Sequence, residues 1–162
     1  MDLTTSDPTA VATADFAVPA SEVWSFRLDF ANLPAYNPDV SEVTRTSDGS
    51  GVGGTLGPGA RYQFGMADPR HPDQTHPVEL WIVEAEQDAL VTAGMQGGSE
   101  AYEEFVVVPS NDGCTATLTL WVSTPEGLPA DTVAAIGKHG RRQIEMELAL
   151  MQEVLHRDNK LD

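Results

Sequence analysis

Glu103, in the stretch EAYEEFVVVP, is the ionisable residue of this sequence best placed for chemistry. Alternate side chains of a strand share a face, so if Phe105 and Val107 point inward, Glu103 points inward with them. A carboxyl group in an apolar interior has its pKa raised; it can then act as a general acid, or it can hold a cationic group of a ligand. The plainer reading, favoured because an unpaired buried glutamate is rare, leaves Glu103 at the sheet margin in contact with water. Glu79, in VELWIVEAE, poses the same question less sharply, because both alternating sets of that stretch contain large apolar residues. Tyr36, Tyr62, Phe64, Trp81 and Phe105 would add aromatic walls to a pocket around such a group, although core packing is the simpler account of any one of them.

Other combinations carry less. Asp68, His71, Asp73 and His76 in MADPRHPDQTHP are of metal-binding type, but their spacing fits no ligand pattern. The proline-punctuated stretch that holds them reads as a mobile loop at the mouth of the fold, so no metal is expected there. Cys114 is the single cysteine, which excludes an intrachain disulfide and a cysteine-based zinc cluster, and no activating base accompanies it. Arg141 and Arg142 precede Glu145 at helical spacing and read as a surface ion pair. His139 and His156 have no visible partner. The glycine-rich DGSGVGGTLGPG lacks the phosphate-cradle pattern and no helical period follows it, so it reads as a hairpin loop. No Ser-His-Asp or Cys-His arrangement is present.

The elements that must position these residues follow from periodicity. VATADFAV reads as a first strand ended by Pro19. In ASEVWSFRLDFANLPAYNPDV, Val23, Phe26, Phe30 and Leu33 recur at helical spacing, with Ser21 as a candidate cap. Pro34 and Pro38 then force a break, giving a bent pair of short helices. Six strands are expected next: SEVTRTS, ARYQFGM, VELWIVEAE, ALVTAGM, EAYEEFVVVP and CTATLTLWVS. They are separated by turn signals, which implies hairpins and an antiparallel sheet. In the last strand Ala116, Leu118, Leu120 and Val122 form the buried face, opposite Thr115, Thr117, Thr119 and Trp121. From Ala130 to about His156 the period becomes helical, through Val133, Ile136, Gly137, Gly140, Ile144, Leu148, Met151 and Leu155, with Asp131 as a candidate cap. So long an apolar face requires the helix to lie across the sheet. The result is an α+β fold with its helices on one face of a curved seven-stranded antiparallel sheet, and a gap between sheet and long helix.

The 162 residues suit one domain, and 41% apolar content supplies its core. Residues 1–9 read as a flexible leader, 10–157 as the domain and 158–162 as a polar tail. Nine basic residues against 25 acidic ones give a net charge of −16, which repels nucleic acid and anionic membrane surfaces. Neither a signal peptide nor a membrane span is visible. Together with the lone cysteine this points to the cytoplasm.

FAVPASEVWSFRLDFANLPAYNPDV, the proline-glycine turn before ARYQFGM, the DGCTATLTL strand and the closing helix together resemble the Bet v 1-like or START-related superfamily, the polyketide cyclase/dehydratase and lipid-transport group, also called SRPBCC. The resemblance covers about residues 10–156. Tyr36 stands where the family commonly has tryptophan, and Cys114 where threonine is usual. It implies a helix-grip fold in which the bent helix pair supports the long helix. It further implies a cavity for a hydrophobic or aromatic small molecule, held by a carrier, sensor or sequestering protein. The wall would be Tyr36, Tyr62, Phe64, Trp81 and Phe105 from sheet and helix pair, with Ile136, Gly137, Gly140, Ile144 and Leu148 from the long helix. Gly137 and Gly140 each cost about 1 kcal/mol relative to alanine in a helix interior; they either make room for the ligand or allow close packing on the sheet. An enzyme of the cyclase/dehydratase type, with Glu103 or Tyr62 moving a proton, is the alternative, and a co-chaperone-like interaction protein the third. No cofactor is implied, and a homodimer stays open.

Overall fold

The hydrogen-bonded ladders of this chain build one sheet from seven strands, wound around three helices. The structure is a computed structural model that describes residues 6–68 and 71–160, leaving aside the side chains of residues 72 and 158–160. Strand β1 (Ala10–Phe16) is followed by α1 (Ala20–Leu28), a 3-10 turn (Phe30–Asn32) and α2 (Leu33–Tyr36). Then come β2 (Thr44–Ser47), β3 (Arg61–Asp68), β4 (His71–Glu86), β5 (Leu90–Gly97), β6 (Ser99–Ser110), β7 (Gly113–Val122) and α3 (Ala130–Lys160). The strand order is β1-β7-β6-β5-β4-β3-β2, and every pairing is antiparallel. This is the expected α+β architecture, with the two short helices between β1 and β2. No described helix is long and apolar enough to cross a membrane.

Register separates the two faces of the sheet. One inner row runs Tyr62, Leu80, Met95, Ala101, Val122, and the next Ile82, Ala93, Glu103, Leu120, Ala10. A bulge between Ile82 and Glu84 shifts β4 so that Ala85 continues the inner face and Val83 turns outward. The outer face carries the row Arg61, Trp81, Gly94, Tyr102, Trp121. Trp81 lies over Gly94, where an added Cβ would stand 2.5 Å from its ring. The Arg61 guanidinium caps it from 5.6 Å. Trp81 is therefore no part of an inner wall, which corrects its expected place. Trp121 is also buried, although the outer face of β7 is otherwise threonine. Its ring packs on Tyr102 at 5.8 Å and its indole N–H donates to the Ser6 carbonyl at 3.2 Å.

Several local expectations change. In the stretch ADPRHPDQTHP, residues 67–68 and 71–77 continue β3 and β4 as a two-stranded arm, pairing Met66 with His76, Ala67 with Thr75 and Asp68 with His71, whereas residues 69–70 lie outside the described residues. Paired β4 residues on the β5 side begin only at Glu79, so the missing N–H of Pro77 breaks no ladder there. Ser21 is exposed and does not cap α1; Pro19 occupies the cap position without a side-chain bond. Asp131 lies inside the first turn of α3, and Val133 N–H reaches back to the Pro129 carbonyl. His156 has a partner: its Nε2 accepts from Ala17 N–H at 3.0 Å, while Gln152 Nε2 donates to the Asp15 carbonyl at 2.6 Å. Those two bonds tie the last turns of α3 to the end of β1. Of the expected leader, residues 6–9 run beside β7, with Thr9 N–H donating to the Leu120 carbonyl and Thr9 Oγ1 accepting from Val122 N–H, both at 2.8 Å. Residues 1–5 of the leader and 161–162 of the tail lie outside the described residues.

Helix α3 is buried along Gly140, Ile144, Glu147, Leu148, Met151 and Leu155, whereas residues 131–135 are exposed and Ile136 and Gly137 half-buried. The apolar stripe thus continues past the sheet, with Val133 46% exposed. A Cβ on Gly140 would meet Leu120 Cδ2 at 3.3 Å, Thr9 Cγ2 at 3.7 Å and Ala10 Cβ at 3.9 Å, and one on Gly137 the Thr9 carbonyl oxygen at 3.5 Å. Gly140 is therefore where α3 crosses β1 and β7 in contact, as close packing at that position requires. Gly140→Leu should push the helix off the sheet and cost about 1–3 kcal/mol, read as a lower midpoint in urea denaturation; an unchanged midpoint would mean that the helix is not seated there.

Candidate functional site

Three ionisable side chains meet in the interior, each brought by a different element. Arg27 is on the last turn of α1, one turn after Val23, so it shares the stripe that buries Val23, Trp24 and Leu28. Glu103 is on the inner face of β6, between the buried Phe105 and the half-buried Ala101. Glu147 is on the buried stripe of α3 between Ile144 and Met151. Arg27 is 1% exposed, and Glu103 and Glu147 are 6% exposed each. Arg27 Nη2 donates to Glu103 Oε1 at 2.8 Å and Nη1 to Glu147 Oε1 at 3.0 Å. Glu147 Oε2 accepts from Asn37 Nδ2 at 3.1 Å, and the Met151 sulfur is 3.8 Å from Nη1.

Aromatic faces enclose the cation. The guanidinium carbon lies 5.0 Å from the Tyr36 ring centroid, 5.3 Å from that of Phe105 and 5.5 Å from that of Phe30. A desolvated contact of this kind contributes on the order of 2 kcal/mol. Phe30 packs in turn on Tyr62 at 5.9 Å, and Tyr36 on Phe26 at 5.7 Å. The chain leaves the helical path at Asp29, and α2, with Pro34 in its first turn, carries Tyr36 and Asn37 toward α3. The Asp29 side chain accepts from Ala31 N–H at 3.1 Å and starts the 3-10 turn that carries Phe30.

The electrostatics follow from burial. Burial alone works against a charged guanidinium, but Glu103, Tyr36 and Glu147 hold Arg27 charged well beyond its ordinary range. Burial pushes the Glu147 carboxyl up, opposed by Arg27 and reinforced by Glu103. It also pushes the Tyr36 phenol up, so Tyr36 is a neutral hydroxyl that can donate a hydrogen bond. Tyr36 Oη and Arg27 Nε are buried without a hydrogen-bond partner among the described residues. Tyr62 Oη is in the same position: the Phe30 backbone and Arg45 act on it, but neither is within hydrogen-bonding geometry. Among the described residues, no three His, Cys, Asp or Glu side chains converge to hold a metal.

The structure thus gathers Tyr36, Glu103 and Phe105 around Arg27, with Tyr62 one ring further out and Phe64 two residues along the same face of β3. Ile144 and Leu148 flank Glu147 on α3. Trp81 is on the other side of the sheet. Ile136, Gly137 and Gly140 belong to the part of α3 that crosses and overhangs the β1 end. Glu103 does point inward, yet it neither reaches water nor stands alone, because Arg27 compensates its charge. Arg27, Asn37 and Glu147 escaped the reading of the sequence. A signal existed: Arg27 sits at the i+4 position from Val23, and Glu147 at i+3 from Ile144. Each is a charge on an apolar stripe, and the signs are opposite.

The sequence matches the family described as polyketide cyclase / dehydrase and lipid transport over residues 7–155. Among solved structures, a START superfamily protein from Mycobacterium smegmatis superposes with a TM-score of 0.72 at 14% identity, covering 91% of this chain and 97% of that one. A protein from Thermus thermophilus gives 0.68 at 15% identity, covering 89% and 94%. Ara h 8.0201 gives 0.64 at 16% identity, covering 90% and 96%. No curated protein matches the sequence.

Removing Arg27 would leave two buried carboxylates without their cation. Arg27→Met is expected to cost about 3–5 kcal/mol in urea denaturation. Arg141→Met, which removes an exposed ion pair to Glu145, should cost no more than about 0.5 kcal/mol. Equal costs for the two variants would show that the interior cluster does not hold the helices together.

Proposed function

The chain belongs to the polyketide cyclase / dehydrase and lipid transport family, and from that premise we propose that it binds a hydrophobic or aromatic small molecule between the inner face of its sheet and α3. The observation that carries this reading is where the apolar interior opens. Met95, Ala101 and Val122, neighbours in one inner row, are only half-buried, and so is Met66 on β3. At that end of the sheet α3 has passed its crossing at Gly140, and its earlier apolar residues, Ile136 and Val133, are half-buried and exposed. Two apolar surfaces left partly uncovered on facing elements are what a hydrophobic guest would cover, at about 25 cal/mol per Å². Behind them lie Tyr62, Leu80 and Phe64, and then the Arg27 cluster. A guest would therefore meet apolar walls first and a few placed polar groups last.

A second reading makes the same interior an enzyme of the cyclase/dehydratase type. What favours it is the pair of buried donors, Tyr36 Oη and Arg27 Nε, that the protein leaves without an acceptor. A substrate oxygen would satisfy both, and Arg27 would stabilise charge developing on it. Glu103 has no free proton-transfer role here, since its carboxylate is committed to Arg27.

Protein purified from its native host and then denatured should release one hydrophobic compound in near-stoichiometric amount, identified by mass spectrometry. Ala101→Trp, which fills the opening from the sheet side, should reduce the retained compound at least tenfold while the cooperative unfolding transition is kept. Equal retention in both proteins would place the guest elsewhere, and an empty wild-type protein that also turns over no aromatic polyketide substrate would remove both readings.

A further inference from the structure

We propose that the Arg27 cluster is a proton-binding site: in the folded protein at neutral pH it holds on Glu147 one proton that the unfolded chain does not hold. The buried charges of this cluster do not cancel. α1 contributes one cation, Arg27; β6 and α3 contribute one carboxylate each, Glu103 and Glu147. α2 and the residue after it contribute only the Tyr36 phenol and the Asn37 amide, and Asp29, at the start of the 3-10 turn, acts on Tyr36 as a further negative charge. From α3 itself the remaining neighbour of the guanidinium is the Met151 thioether. Among the described residues no second cation pairs with either carboxylate. With both carboxylates ionised, the interior would carry an uncompensated negative charge.

Buried groups in that position neutralise rather than stay charged. Two carboxylates on one guanidinium, one at Nη1 and the other at Nη2, also repel each other, so a single proton relieves both the excess charge and the repulsion. The upward displacement of the Glu147 carboxyl by burial, with Glu103 adding to it, fits Glu147 as the main seat of that proton. A raised carboxyl pKa in the folded state means stability that is full below the ordinary carboxyl range and is lost as pH rises through the raised value. The proton would thus strengthen the junction of α1, α2 and α3 with β6.

Infrared spectroscopy of the full chain tests this directly, because the exposed carboxyl groups are ionised at neutral pH and leave the carboxylic-acid carbonyl region clear. Wild-type protein should show one protonated-carboxyl band at neutral pH, assigned by isotope-labelled glutamate, and the band should titrate away on the alkaline side. Glu103→Gln and Glu147→Gln should each abolish it, since either leaves one cation facing one anion. In parallel, the wild-type folding equilibrium should weaken by up to about tenfold per pH unit above the ordinary carboxyl range, and both variants should lose that slope. Absence of the band from wild-type protein would overturn the proposal without any variant having to fold. So would stability that depends on sodium or potassium but not on pH, which would mean that a metal cation supplies the missing charge, and so would a band that survives in both glutamine variants.

Discussion

A charged guanidinium with 1% exposure is the constraint on which the rest of this molecule depends. Moved out of water alone, it would cost far more than a domain's net stability. It is tolerated because a sheet strand and the C-terminal helix each deliver a carboxylate to it, and because three aromatic rings line its remaining surface. Each partner comes from an element far away in sequence. The cluster therefore acts as a register check: α1, β6 and α3 satisfy it together or not at all. An apolar residue at position 27 would allow α1 and α3 to slide past each other, whereas an ion pair with two hydrogen-bond distances does not.

The helix pair between β1 and β2 becomes intelligible in that light. α1 has to end at Leu28 with Arg27 facing the sheet, and the chain then has to reverse within a few residues so that Phe30, Tyr36 and Asn37 cover the same guanidinium. The Asp29 turn, the 3-10 segment and Pro34 accomplish this. Trp24 fastens the other side, donating its indole N–H to the Leu90 carbonyl on β5 at 2.9 Å. The two faces of the sheet divide the remaining work. The outer face closes on itself through Trp81 over Gly94 and Tyr102 against Trp121. The inner face supplies the apolar surface and leaves part of it half-covered beside the overhanging start of α3.

Solved relatives at about 15% identity share this fold, so the architecture tolerates nearly complete replacement of side chains. What these structures share with this chain is the fold itself, not a set of side chains. Here the C-terminal half of α3 is fixed by His156 and Gln152 on β1 and by Glu147 on Arg27, and the N-terminal half is fixed by little beyond the contact at Gly140.

Much of this was legible in the residues. Alternation in ARYQFGM and CTATLTLWVS and the helical period after Ala130 are local patterns, and each predicted its element; the break between the two short helices falls at Asp29, with Pro34 in the first turn of α2 rather than at the end of a helix. The inward parity of Glu103 was equally local, but the position favoured from the sequence, at the sheet margin in contact with water, is not the one it takes, at 6% exposure. Other features depended on what another part of the chain provides. The outward side of Trp81 is matched by Gly94, its partner on the neighbouring strand, which has no side chain in the way of the ring. Whether residues 66–68 and 71–77 formed a loop or a hairpin arm was decided by the pairing of Met66 with His76, Ala67 with Thr75 and Asp68 with His71. Whether Gly140 made room or made contact was decided by Thr9, Ala10 and Leu120. The identity of the cation facing Glu103 was decided by α1, 76 residues away. Periodicity is written in each segment because it reflects only the geometry of that segment's own backbone. The partner that neutralises a buried charge is a property of two segments at once, and only the assembled tertiary structure brings them within 3 Å of each other.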